Sequence, residues 1–219
     1  MTHGDQNEQQ PSAGASSDRR PIAARSAGWA QSVAGALVGS GITPNQISVA
    51  SIGFAFIGAG AMLTDTSVGL IAGALTIQAR LLCNLLDGMV AVEGGKQSTL
   101  GVLYNEFPDR IADSLLLVGA GYACGAPIWG WSAALFAALT AYVRAFGASL
   151  GNGHDFRGPM AKQQRMAVLT AGCVLQAVLP VRGGILAVAL MVISVGAAIT
   201  CGARTLALAR ALRQRAGIR

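Results

Sequence analysis

Charged residues are scarce in this chain. Only 12% of the 219 residues are charged, whereas 53% are hydrophobic. Because a soluble domain usually carries about 25% charged residues, this composition argues against a soluble domain and indicates an integral membrane protein. The formal net charge is +6, but the basic residues lie between apolar runs and at the two ends. That distribution does not fit a nucleic-acid-binding face.

The chain also lacks the cysteine spacing of a zinc site or of a disulfide framework, and it shows no internal repeat. Each cysteine lies in an apolar run, so we expect small buried apolar side chains at Cys83, Cys124, Cys173 and Cys201. The polar N-terminal segment has no compact apolar core with a cleavage site, which excludes a signal peptide. Residues 1–21 are expected to form a disordered cytosolic tail.

What the sequence does contain is a series of long apolar runs. They predict an all-α integral membrane protein with six transmembrane helices at about 44–63, 67–92, 106 or 108 to 122, 128–150, 166–180 and 185–205. Thr43 can cap the first of these helices, and Pro44 suits its first position. Residues 24–40 place Trp29, Val33 and Leu37 on one face, which predicts an amphipathic helix at the membrane surface.

The basic residues predict the orientation. In a six-helix topology nearly all of them lie on one side, and only Arg182 lies in an opposite loop. By the positive-inside rule, both termini are expected in the cytosol, in a multi-pass protein of the cell (inner) membrane. We expect a membrane domain over 22–208 and a basic cytosolic tail over 209–219.

Polar residues cluster at the end of the second apolar run and at the start of the third. Helical periodicity places three of them on one face of each helix: Arg80, Asn84 and Asp87 on the second, and Asn105, Asp109 and Asp113 on the third. Carboxylates at membrane depth are costly and are therefore functional candidates. We expect the two helices to pack antiparallel, so that their facing oxygens form a site for a hard divalent cation such as Mg²⁺.

These residues resemble the signature of the CDP-alcohol phosphotransferases, which is Asp-x-x-Asp-Gly-x-x-Ala-Arg, eight residues, Gly, three residues, Asp, three residues, Asp. The chain has Asn84-x-x-Asp87-Gly88-x-x-Ala91-Val92, and eight, three and three residues then lead to Gly101, Asn105 and Asp109. Every spacing is kept, and the resemblance covers about residues 22–208.

The resemblance implies a metal site with one or two Mg²⁺ or Mn²⁺ ions. Its ligands would be Asn84, Asp87, Asn105 and Asp109, and Asp109 would also be the catalytic base that deprotonates the acceptor hydroxyl. The nucleotide of the donor would lie near Asp87, Gly88, Ala91 and Gly101. The family also implies a homodimer.

Three positions depart from the signature: Asn84 and Asn105 replace Asp, and Val92 replaces Arg. An amide oxygen can still bind Mg²⁺, but it brings no negative charge. Glu106 or Asp113 could compensate for the missing carboxylates. The chain resembles a branch of the family that has Asn at these two positions.

Several basic residues are candidates for holding an anionic acceptor, and the resemblance implies a pocket for an acceptor phosphate in the same regions. They are Arg144, Lys162, Arg165 and Arg204. The alternative is that they anchor the protein to anionic lipid on the cytosolic side. Arg80 is the most interior basic residue, and we expect it to pair with Asp87 or Asp113.

The leading hypothesis is a transferase that moves a phosphatidyl group from CDP-diacylglycerol to a small polar alcohol or alcohol phosphate, releasing CMP. The alternative is a relative that binds CDP-lipid or phospholipid without turnover, which the two Asn residues would suit. A proton-relaying transporter is a third possibility, and the absence of inverted repeats argues against it. No nucleic acid is expected as a partner.

Overall fold

The structure is a computed structural model that describes residues 27–95, 100–179 and 184–217. The tail expected over residues 1–21, together with Lys96 and Arg182, lies outside the described residues. The described part is entirely helical, with no strands. Its elements are α1 (Gly28–Gly39), α2 (Pro44–Met62), α3 (Ser67–Glu93), α4 (Gly101–Ala123), α5 (Pro127–Ser149), α6 (Lys162–Val178) and α7 (Gly184–Arg215).

Three helices of the described residues are long and apolar enough to cross a membrane: α2, α3 and α7. α6 is only 17 residues long, and α4 carries four charged residues, Glu106, Asp109, Arg110 and Asp113. The prediction of an all-helical membrane protein is therefore confirmed, whereas the number of six transmembrane helices stays a prediction.

The expected start of α2 is confirmed in detail. The backbone N–H of Gln46 donates to Thr43 Oγ1 at 3.3 Å, and the Thr43 N–H donates to Gln46 Oε1 at 2.9 Å. This reciprocal capping box satisfies two amide groups that the first turn would otherwise leave without partners. Pro44 follows as the first helical residue.

The expected start of the third apolar helix is wrong. α4 begins at Gly101, and Pro108 lies inside it. A proline fixes a φ angle that a helix accepts, and it removes the one hydrogen bond that its own N–H would give to the carbonyl of Tyr104. The extra turns bring Asn105 and Glu106 onto the same helix as Asp109.

The expected antiparallel packing of α3 on α4 is also wrong. α2 packs along both of these helices, α5 packs along α4 and α7, and α6 packs along α3 and α7, but α3 and α4 share almost no close backbone contact. Arg80 is fully buried and reaches from α3 to Asp109 and Asp113 on α4. Charged side chains therefore fill the space between the two helices, and this space becomes part of the site.

α1 packs on α3 through small residues. Ala30 and Ala34 are fully buried, whereas Trp29 and Val33 are exposed. Two residues of the predicted apolar face, Trp29 and Val33, thus point away from the helical bundle, whereas the third, Leu37, is half-buried and packs against it. All four cysteines are free; Cys83 and Cys173 are buried, and Cys124 and Cys201 are half-buried.

Glycines permit the close approach of α4 and α5. A Cβ atom on Gly130 would lie 2.8 Å from the carbonyl oxygen of Leu117 and 3.0 Å from Gly121 Cα. We expect Gly130→Ala to reduce the free energy of unfolding by about 1–3 kcal/mol, because the backbone atoms it meets cannot move aside locally. Thermal unfolding in detergent would measure the loss. Gly53→Ala on α2 is the control, since nothing lies within 4 Å of its added Cβ. Equal melting temperatures for the two variants would contradict this account.

Candidate active site

A cavity of about 470 Å³ opens between α3, α4, α5, α6 and α7. It is lined by seven of the residues that the sequence singled out. Asn84, Asn105 and Asp109 come from the signature stretch, and Arg144, Lys162, Arg165 and Arg204 are the four candidate acceptor-binding residues. The fold therefore gathers both groups of candidates around one space.

Asp87 lies beside this cavity and does not line it. Its side chain is buried, and its Oδ2 accepts a hydrogen bond of 2.7 Å from the Ser48 hydroxyl on α2. Asp109 and Lys162 are close enough to Asp87 to interact with it electrostatically. The other expected nucleotide-binding residues, Gly88, Ala91 and Gly101, are also absent from the cavity wall.

Asp109, the candidate base, is held by two cations. Its Oδ1 accepts a hydrogen bond of 3.1 Å from Arg80 Nη2, and its Oδ2 accepts one from Lys162 Nζ. Arg110 Nη2 lies 3.9 Å from the same Oδ2. The carboxylate is therefore fixed in position at the wall of the cavity.

Asp113 lies one turn deeper, between two guanidinium groups. Its Oδ1 is 2.6 Å from Arg80 Nη2, and its Oδ2 is 3.1 Å from Arg165 Nη2. All three side chains are almost completely buried. The expected Arg80–Asp113 pair is confirmed, whereas the second partner of Arg80 is Asp109 and not Asp87. A buried charge needs such partners because leaving water is costly.

Glu106 bridges two further arginines at the cavity wall. Its Oε1 lies 2.6 Å from Arg144 Nη2, and its Oε2 lies 3.1 Å from Arg110 Nη2. The Arg144 guanidinium also lies over the ring of Phe156, 5.7 Å from the centroid. Glu106 and Asp113 are thus already paired with arginines, so neither supplies the carboxylate that the sequence suggested for a metal.

Arg165 and Arg204 have structural partners as well. Arg165 Nη1 donates to the Met160 carbonyl at 3.1 Å, and Arg204 donates from Nη1 to the Thr140 carbonyl and from Nε to the Arg157 carbonyl, each at 2.9 Å. These bonds tie α6 and α7 to α5 and to the loop before α6. Arg165 and Arg204 thus form buried parts of the cavity wall, whereas Lys162 and Arg144 are more exposed to the cavity.

Sequence reasoning missed four residues of the site: Ser48, Arg110, Thr140 and Phe156. Thr140 lies four residues before Arg144, so helical spacing could have placed both on one face of α5. Phe156 is an isolated aromatic residue in a polar loop, which is a weaker signal. Nothing in the sequence near Ser48 indicates its bond to Asp87.

The residues fit one hard cation better than two. In the described ranges, no group of three or more His, Cys, Asp and Glu side chains could hold a metal ion. Asn84 Nδ2 is buried and has no hydrogen-bond partner. A half-turn of the amide would present its oxygen at the same point, one helical turn from Asp87. Asp109, in contrast, already holds Arg80 and Lys162, and Asn105 is exposed.

No known family model matches the chain, and no curated protein matches it either. Its fold does match solved structures of the phosphatidylinositol phosphate synthase of Mycobacterium tuberculosis. The structure with CDP-DAG bound has a TM-score of 0.74 at 21% identity and covers 83% of this chain and 94% of that one.

Two further structures of the same synthase agree. The complex with manganese and citrate has a TM-score of 0.73 at 21% identity, covering 82% of this chain and 88% of that one. The apo form has a TM-score of 0.68 at 22% identity, covering 80% and 93%. At these identities the likeness establishes the architecture: the chain has the all-helical membrane fold of the mycobacterial synthase.

Proposed function

We propose that this protein is a membrane-bound transferase that moves a phosphatidyl group from CDP-diacylglycerol to the hydroxyl of a small polar alcohol or alcohol phosphate, releasing CMP. The observation that carries the proposal is the cavity in which Asp109 faces a set of basic side chains. The signature spacing places Asp109 at the position of the base, and a protein of the same fold has been solved with CDP-DAG bound.

The chemistry follows from the positions of these residues. Asp109 takes the proton of the acceptor hydroxyl, whose oxygen then forms a bond to the lipid-linked phosphorus of the donor. The bond between that phosphorus and the bridging oxygen of the pyrophosphate breaks, and CMP leaves with the bridging oxygen and its electron pair. A general base of this kind needs, above all, to lie within hydrogen-bond reach of the hydroxyl.

The basic residues hold the anions in place. Lys162 and Arg144 face the cavity with side chains that are 26% and 16% exposed, so they can reach a phosphate within it. A divalent ion, Mg²⁺ or Mn²⁺, held by Asp87 with Asn84 would add positive charge beside the pyrophosphate when bound. Asn105 lies at the cavity wall, where its amide can orient a phosphate oxygen. The nucleotide itself would lie toward Gly88, Ala91 and Gly101, beside the cavity.

The lipid tails of the donor would stay in the bilayer, beside the apolar helices. We further propose the orientation that the basic residues predict, with the active site and both termini at the cytosolic face of the inner membrane. The six-helix topology, the membrane domain over 22–208, the basic tail over 209–219 and a homodimer belong to the same proposal. In the structure, α7 continues through Arg215, so most of that tail is helical.

The test is CMP release by the purified full-length protein. CDP-diacylglycerol would be supplied in detergent micelles with glycerol phosphate, inositol phosphate, serine or another alcohol, with and without Mg²⁺ or Mn²⁺. We expect CMP to appear with one class of acceptor and only when the cation is present. No CMP with any acceptor would contradict transfer.

A second candidate function is binding of CDP-lipid or phospholipid without turnover. The two amides at Asn84 and Asn105 favour it, as does a candidate base already held by Arg80 and Lys162. Tight binding of CDP-diacylglycerol together with the absence of CMP release would support this function over transfer.

A further inference from the structure

Lys162 is held in place by its surroundings and is not a freely moving surface residue. It is the first residue of α6. The loop before it is fixed by the Met160 N–H, which donates to Thr200 Oγ1 at 2.9 Å. One turn further on, Arg165 binds Asp113. With both flanks anchored, the Lys162 ammonium group is directed to Asp109 Oδ2.

Three cations lie at the carboxylate of Asp109: Arg80, Lys162 and Arg110. Arg80 binds its other oxygen, and Arg110 lies 3.9 Å from Oδ2. The signature position one turn earlier is Asn105, which has no charge. A divalent cation at Asp109 would therefore meet like charges at a few ångströms, and the neighbouring carboxylates of Asp113 and Glu106 are each already paired with two arginines.

The surroundings of Asp87 differ. Its Oδ2 is bound by a neutral hydroxyl, that of Ser48. Asn84, one turn earlier on α3, has a buried amide nitrogen without a partner. No cation is paired with Asp87 among the ion pairs of the described residues. Lys162 acts on Asp87 only through a longer-range attraction, so this side of the site can accept a cation without breaking an ion pair.

From this contrast we infer that the site binds one divalent ion, at Asp87 and Asn84, and that the Lys162 ammonium group is a built-in cation at Asp109 in place of a second ion. This inference rests on the proposed function, which defines the location of the site. It adds to that function by stating which groups supply the positive charge at the site, namely one divalent ion and the Lys162 ammonium group. With neutral amides at Asn84 and Asn105 the site has less negative charge to balance a second divalent ion, and the single charge of Lys162 would take that ion's place.

The experiment counts Mn²⁺ ions bound to the purified full-length protein by electron paramagnetic resonance, without any substrate. We expect one ion per wild-type chain. Lys162→Met should admit a second ion, or strengthen its binding by at least about tenfold, because the repelling charge is gone. Lys162→Arg keeps the charge and should bind one ion. Arg157→Met is the matched control, since Arg157 is an exposed cation of the loop before α6.

Two ions of similar affinity in the wild type would overturn the inference. So would the absence of any bound ion, or an unchanged Mn²⁺ titration in Lys162→Met. Circular dichroism confirms folding, and Lys162→Gln replaces the methionine variant if that variant misfolds. The outcome is independent of catalysis: a protein without CMP release that still gains an ion in Lys162→Met refutes the proposed transfer and supports the inferred role of Lys162.

Discussion

Replacing Asp109 by Asn should lower the rate of CMP release by about 100- to 10,000-fold, the usual range for the loss of a general base. The amide has the same shape, and its oxygen can still accept a hydrogen bond from one of the two cations, Arg80 or Lys162, but its NH₂ group cannot accept one from the other. It cannot take a proton from the acceptor hydroxyl. The loss should therefore appear in the turnover number, with little change in the Michaelis constant for CDP-diacylglycerol.

The matched control is Asp155→Asn. Asp155 is also an aspartate paired with an arginine, but it lies in the loop before α6, where it bonds Arg157. This variant should keep the wild-type rate. Initial rates of CMP release, measured on protein that elutes as a folded species from a sizing column, compare the two. An Asp109→Asn variant that retained its full rate would remove Asp109 from the mechanism.

The sequence predicted the parts of this protein that depend on local rules. Thr43 and Pro44 mark a helix start because capping is determined within four residues. The spacing from Asn84 to Asp109 placed Asn84, Asn105 and Asp109 where they line one cavity, because the helical period is fixed, whereas Asp87 lies beside it. The basic candidates Arg144, Lys162, Arg165 and Arg204 do converge on one cavity.

The sequence could not predict how far apart the two signature helices lie. Periodicity gives the face of a helix and says nothing about its distance from the next one. Here α2 packs along both α3 and α4, and Arg80 crosses the space between those two helices. For the same reason, the sequence could not show that Lys162 would reach Asp109, since the two residues are 53 positions apart.

The buried charges of the site therefore serve two purposes at once. A fully buried guanidinium must be paired, and Arg80 is paired with carboxylates that the proposed chemistry also needs. The ion pairs hold Asp109 at the cavity wall and join α3 to α4 where the backbones do not touch. Stability and activity should thus depend on the same residue.

Arg80→Met should reduce the free energy of unfolding by about 3–5 kcal/mol, the usual loss when one member of a buried ion pair is removed. Methionine fills similar space, so the main effect is the charge left on Asp113 and Asp109. Thermal unfolding in detergent, followed by circular dichroism, would measure it. Arg213→Met changes an exposed arginine of α7 and should shift stability by less than about 0.5 kcal/mol.

A second substitution separates charge from packing. Asp113→Asn in the Arg80→Met background removes the carboxylate that lost its nearest partner, which had lain 2.6 Å away. Asp113→Asn also takes the carboxylate from the buried Arg165, so the informative quantity is additivity: the double variant should lose less stability than the sum of the losses in Arg80→Met and Asp113→Asn, because the pair between these two residues can be broken only once. Because Asp109 has also lost Arg80, the double variant should still release CMP more slowly than the wild type. If the two single losses simply added in the double variant, the loss in Arg80→Met would come from packing, and the ion pairs would not be what joins α3 to α4.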